Sequence, residues 1–232
     1  MNGFDLFAIL LNPGFGQMLL DGMKMTAVVA GCSWLTGMTL AMLLLTVRLT
    51  GSWGERLVAG YVSYHSNVPT LVQLMLWYFG IASMLPVDWQ GWLSEHHAEA
   101  VFAIIGLSLC QAAYFSEDLR SGLRGVPSGQ TEAARALGHS YLSCMRHVLL
   151  PQAARNALPA LVNHSVSLFK NSSLAMAIGV AELTHAVKEI ENQSFRTFES
   201  YAIATTVYLL CSLLIMAAGA LIAQRSHLAA TR

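Results

Sequence analysis

Residues 25–47 read MTAVVAGCSWLTGMTLAMLLLTV, 23 consecutive positions without a charged side chain. An α-helix rises about 1.5 Å per residue, so a run of this length crosses the roughly 30 Å hydrocarbon core of a bilayer. Only a helix or a closed barrel can do so, because lipid offers no partner for a backbone N–H or C=O. The stretch therefore sets the class of the chain, and its surroundings agree. Of the 232 residues 55% are apolar and 11% charged, and the mean hydropathy is +0.52, far from the composition of a soluble domain.

Working outward, residues 58–87 hold only His65 as a group that ionises near neutral pH, and residues 201–223 are uncharged. Residues 100–116 form a shorter apolar run that continues as helix through Leu123, and residues 158–180 carry Lys170 in their middle. The sequence thus predicts an all-α membrane protein with five transmembrane helices, at about 25–47, 58–87, 100–123, 158–180 and 201–223. With the N-terminus outside, Arg48, Arg56, Arg120, Arg124, Arg135, Arg146, Arg155, Arg225 and Arg232 all fall in the cytoplasm, nine of the thirteen Lys and Arg residues. That bias predicts an N-out, C-in chain. Residues 1–21 are then a periplasmic segment, 22–223 the transmembrane domain, 124–157 a cytoplasmic loop within it, and 224–232 a cytoplasmic tail.

Met1–Leu20 lacks the basic start and small-residue cleavage site of a secretory signal and carries Asp5, so the N-terminus is expected to be retained. Trp53, Tyr61, Trp89 and Trp92 suit the headgroup boundary. Gly22, Gly31, Gly37 and Gly219 would let helices approach closely. Cys32, Cys110, Cys144 and Cys211 form no Cys-x-x-Cys pair, and His96-His97 lacks the spacing and further ligands of a zinc site, so neither a disulfide nor a metal is expected. There is no Gly-x-x-x-x-Gly-Lys loop and no grouped nucleophile and base, so the chain is expected neither to hydrolyse ATP nor to act as an enzyme. A net charge of zero gives no footprint for nucleic acid.

The loop between the third and fourth spans is too long and too rich in helix formers to be a plain turn. Ser128 or Gly129 can cap a helix through Leu137 with Glu132 in its first turn, and Gly138 suits its left-handed end. Ser140 can cap a second helix whose Leu142, Met145 and Leu149 share a face before Pro151 interrupts it. Periodicity alone leaves two readings open: a surface hairpin packed on its own bundle, or an alanine-rich docking element.

The spacing adds to this. Glu132-Ala133-Ala134, three residues, Gly138, nine residues, then Val148-x-Leu150-Pro151 resembles the signature loop of permeases of binding-protein-dependent ABC importers, with Val148 in place of isoleucine. Asn67 to Leu74, Ala113-Tyr114, Ser116-Glu117, Pro127, Gly129-Gln130, Gln152-Ala153 and Lys170 to Leu174 are similar to the polar amino acid branch of that family, over roughly residues 20–223. The last third looks most like glutamate/aspartate permeases. Ser66 departs from the arginine usual in the branch. The resemblance implies a type I importer transmembrane domain in the bacterial inner membrane. Its loop residues Glu132, Ala133, Ala134, Gly138, Leu150 and Pro151 would dock on a cytoplasmic ATPase dimer, which would use the ATP. A periplasmic or lipid-anchored substrate-binding protein and a second permease subunit, identical or related, would complete the machine.

Candidates for the substrate path are Lys170, whose charge within a membrane calls for a cavity or partner, with Asn171 beside it. Gln73 and Gln111 can bond between helices or line a wet route, and Asn67 and Pro69 mark a helix break. Glu117 and Asp118 are expected to pair with Arg120 or Arg124. The rival reading is an ion-coupled secondary transporter using Lys170 and the midspan polar residues. Inverted repeats would favour it, and five spans do not divide into equal halves.

Overall fold

The computed structural model describes residues 6–228; Met1–Asp5, with the reading of Asp5, and residues 229–232, with Arg232 of the tail, lie outside the described residues. After a short helix α1 (Phe7–Leu10), the first span forms α2 (Pro13–Arg48). This helix starts well before residue 25, inside the expected periplasmic segment 1–21. Proline at its first turn needs no intrahelical N–H partner, and Asn12 Oδ1 accepts from the Gly14 N–H at 2.9 Å. At 36 residues it is about 54 Å long, more than the hydrocarbon core requires.

Among the described residues three helices are long and apolar enough to cross a membrane, within Pro13–Arg48, Ala98–Arg124 and Thr197–Arg225. The expected second span is broken. Its first part, α3 (Ser52–Asn67), stops at Val68, which is extended as the residue before a proline tends to be. The chain restarts as α4 (Thr70–Met75), widens into a π-type turn over Leu76–Ile81 and tightens into a 3₁₀ turn over Ala82–Met84. Helix α5 (Val87–Glu95) then carries Trp89 and Trp92, both exposed.

The expected fourth span also differs from a single helix. It runs through α9 (Leu150–Asn171) and a 3₁₀ segment Ser172–Ile178, and reverses at Gly179, whose φ of 94° suits glycine. The remaining elements are α6 (Ala98–Arg124), α7 (Ser128–Ala136), α8 (Tyr141–Cys144), α10 (Leu183–Ser194) and α11 (Thr197–Leu228).

Helix α6 is the centre of the bundle, with α2 on one side and α9 on the other. Its most apolar window is 61% buried, against 22% for α2 and 11% for α11. The latter two therefore present broad faces for lipid or other subunits. Small residues bring the partners close: a Cβ on Gly122 would lie 2.7 Å from that of Ala157, and one on Gly37 would lie 3.2 Å from Ser108 O. Gly22 and Gly219 are tight in the same way, against Ala186 and Val162, but Gly31 has no such neighbour within 4 Å.

Above this core, buried Glu182 ties α2, α10 and α11 together. Its carboxylate accepts from the His185 N–H at 2.9 Å, the Thr184 N–H at 3.0 Å and the Tyr208 hydroxyl at 2.8 Å, with the Thr26 hydroxyl at 3.4 Å. Burial pushes this carboxyl up from its ordinary value, while the hydrogen bonds from Thr184, Tyr208 and His185 pull against it. Glu182→Ala strands these donors and is expected to lower stability by about 1–3 kcal/mol, read as thermal unfolding of the purified protein. Glu182→Gln, which keeps an acceptor oxygen, should lose less.

Candidate functional site

The loop between the expected third and fourth spans folds as a helical hairpin. Pro127, not Ser128 or Gly129, stands at the N-cap of α7, and no side chain caps it. Ser128 is instead the first helical residue, which puts Glu132 beyond the first turn. Gly138, at φ 86°, ends the helix: its N–H donates to Arg135 O at 3.0 Å, and the His139 N–H donates to Ala134 O at 3.1 Å. This paired closure satisfies the last carbonyls and needs a left-handed residue at Gly138.

Ser140 Oγ then accepts from the Ser143 N–H at 3.3 Å and opens α8. Pro151 does not interrupt the helical path beyond it. A π-type turn over Met145–Leu149 leads straight into α9, where Pro151 occupies the first turn and its missing N–H costs no hydrogen bond. Gln152 Nε2 donates to Val148 O at 2.9 Å across this junction. The hairpin is thus continuous with α9.

Glu132 and Ala133 are exposed, Ala134 is buried against the chain, and Leu150 and Pro151 are exposed. Leu137, Tyr141 and Leu142 are 82%, 71% and 76% exposed. Leu142, expected to share a packed face with Met145 and Leu149, projects outward, while those two are half-buried. Three large apolar side chains and a glutamate are thus exposed on one short hairpin, a surface that periodicity assigns in part to the interior. The only signal in the sequence is the lack of polar residues at these loop positions.

A compact ionic cluster stands where α2, α3 and α6 meet. Arg48, with a side chain 5% exposed, pairs with Glu117 through Nη1, and its Nε lies 3.1 Å from Glu55 Oε2 without hydrogen-bond alignment. Arg120 donates to Glu55 at 2.7 Å and to Glu117 at 3.2 Å. Asp118 instead meets His164 of α9 at 2.6 Å. Glu117 thus takes one expected partner and one from another helix, whereas Asp118 takes neither Arg120 nor Arg124. Arg48 and Glu55 carried no sign of this role, since both look like ordinary loop-flanking charges.

The path candidates fall in separate places. Gln73 is buried and repairs the break at Pro69: its Nε2 donates to Val68 O at 2.7 Å and His65 O at 3.2 Å, while its Oε1 meets His65 Nδ1 at 2.6 Å. Asn67 is exposed and donates to Ser63 O at 2.7 Å, and Pro69 is exposed beside it. Gln111 is buried and donates to His164 O at 3.2 Å, joining α6 to α9. Lys170 is exposed on α9 and lines a cavity of 480 Å³ with Asn163, Ser167, Tyr208 and Ser212. Its ammonium has no hydrogen bond or ion pair among the described residues. Asn171 is half-buried next to it, and Ser66 is exposed at the end of α3.

The pattern that defines the binding-protein-dependent transport system inner membrane components matches residues 34–227. The chain is 40% identical over 148 residues to a probable amino-acid permease protein of Bacillus subtilis, an alignment covering 64% of this chain and 63% of that one. It therefore spans a little under two thirds of that relative's length. An octopine transport system permease protein of Rhizobium radiobacter is 32% identical over 85% of this chain and 81% of its own. Among solved structures, a chain of an amino acid ABC transporter crystallised with histidines superposes with a TM-score of 0.83 at 27% identity, covering 97% of this chain and 100% of that one.

Arg48→Met removes the central cation and leaves Glu55 and Glu117 with Arg120 alone. Both carboxylates keep some solvent, so the expected loss is about 1–3 kcal/mol, seen in thermal unfolding of the reconstituted protein. Arg48→Lys should recover only part of it, since one ammonium replaces a planar fork.

Proposed function

This chain belongs to the family of binding-protein-dependent transport system inner membrane components, and on that premise we propose that it is the permease subunit of an ATP-driven importer for a polar amino acid. It is an all-helical, multi-pass protein of the inner membrane and carries the fold of an ABC importer transmembrane domain. The ATPase is a separate subunit on the cytoplasmic side, and a substrate-binding protein delivers cargo from outside. A second permease, identical or related, completes the path. The transmembrane domain at 22–223, entered from a periplasmic N-terminal segment and succeeded by a cytoplasmic tail, makes five crossings, two of them interrupted helices.

The observation that carries this reading is the hairpin with Glu132, Ala133, Leu137, Tyr141 and Leu142 exposed and α9 rising directly from it. A protein seated on that surface moves α9 when it moves. Closure of the ATPases on nucleotide is then felt along the helix that bears Lys170, and the two access states are populated according to which one nucleotide and loaded binding protein stabilise. Glu132, Ala133, Ala134, Gly138, Leu150 and Pro151 are the coupling residues.

Lys170 is the cargo contact. An exposed, unpaired ammonium on a helix in a membrane must face water or a partner, and an amino acid brings a carboxylate to it. Asn171 stands in the same stretch of path. Asn67 and Pro69 give the second crossing its bend, and Gln73 and Gln111 hold the walls by their hydrogen bonds. Glutamate or aspartate is the finer reading of cargo, supported by the resemblance of the last third of the chain; the relatives with named cargo are described as octopine, nopaline and arginine systems.

In vesicles holding the permease with its ATPase, uptake should require internal ATP and added binding protein. Uptake driven by an ion gradient without the ATPase would replace this reading with secondary transport. Glu132→Lys and Leu142→Asp should leave the protein in the membrane and weaken ATPase association about tenfold or more, as expected for a central anchor of an interface. Lys170→Met should lower uptake while association persists; unchanged uptake and selectivity would make the lysine structural.

A further inference from the structure

Helices α2, α9 and α11 enclose a groove of 640 Å³. Its walls are apolar, apart from Ser165 Oγ, which is engaged by Trp34 Nε1 at 2.8 Å. Gly31 forms part of the wall and leaves open space where a side chain would stand. It therefore widens the groove and does not serve helix contact.

The groove and the lysine lie on opposite sides of one helix. At about 100° per residue, Leu158, Leu161, Ser165 and Leu168 cluster on one face of α9, and Asn163 and Lys170 stand across from them. If the Lys170 side faces the aqueous path, the groove side faces hydrocarbon, and its outer flanks agree: Leu214, Leu221 and Ile222 of α11 and Leu35 of α2 are all more than half exposed. One turn nearer the cytoplasm than Leu158 stands Arg155, and one turn nearer than Ile222 stands Arg225. Neither arginine has an ion pair or hydrogen bond among the described residues.

We propose that the groove is a lipid site, holding an acyl chain of an inner-leaflet anionic phospholipid whose phosphate is bound by Arg155 and Arg225. The charge one turn beyond the groove's lining selects the ligand. Two free guanidinium groups at the headgroup level attract an anionic phosphate and reach it along flexible stems. An apolar helix of a second permease copy would cover the groove but gives no reason for two unpaired arginines one turn beyond it. Only the outward orientation of the groove rests on the proposed role of Lys170.

The test is lipid retention by the purified transporter complex after equilibration in vesicles of phosphatidylglycerol and phosphatidylethanolamine, measured by mass spectrometry. Arg155→Gln with Arg225→Gln should reduce retained phosphatidylglycerol by about fivefold per arginine, leaving phosphatidylethanolamine unchanged. Gly31→Trp, placed where there is room, should displace the lipid with both arginines intact. Equal retention of phosphatidylglycerol in wild type and both variants would overturn the proposal. So would a photo-crosslinker at position 31 that captures a second permease in place of lipid. Retention is read without transport, so a different cargo or energy source would leave the result standing.

Discussion

Hydrocarbon offers no partner for a backbone N–H or C=O, and the chain meets its own hydrogen bonds at each helix break, inside the expected spans and in the loop between them alike. At Val68-Pro69 the ladder stops because proline has no N–H to give, and the amide of Gln73 takes up the freed carbonyls of Val68 and His65. At Met145–Leu149 the chain widens by one residue, so that Pro151 falls in a first turn where its missing donor costs nothing. At Ile178–Gly179 a left-handed glycine closes the 3₁₀ segment. Each break keeps its hydrogen bonds within the protein, and each redirects the chain toward a different surface.

Helix α9 gathers the consequences. It begins at the helical hairpin, meets α6 through Gln111, Asp118 and the close approach at Gly122, and presents Lys170 on one face and an apolar groove on the other. Between hairpin and cavity the path stays helical: Gln152 braces the π-type turn, and Pro159 stands inside α9, where it withdraws one hydrogen bond from the ladder. The Arg48–Glu55–Glu117–Arg120 cluster holds the ends of α2, α3 and α6 as a fixed frame beside it. The proposed lever action of α9 needs such a frame, because a displacement at one end is transmitted only if the rest of the bundle resists it.

Pattern along the chain was enough for the helical class, the three long apolar spans, the helix break at Pro69 and the hairpin with its stop at Gly138. These are legible because apolar run length, proline and a left-handed glycine act locally. Lys170 also stood out, since a charge in an apolar run is conspicuous without any contact map. The packing of helix on helix set the rest. That Gln73 is spent on its own backbone, that Asp118 faces His164, that Leu142 points outward and that Gly31 opens a groove where Gly219 closes a contact all depend on which helices meet. Residues of one type, in runs of equal hydropathy, take opposite roles according to their neighbours across the bundle, and no pattern along the chain encodes those neighbours.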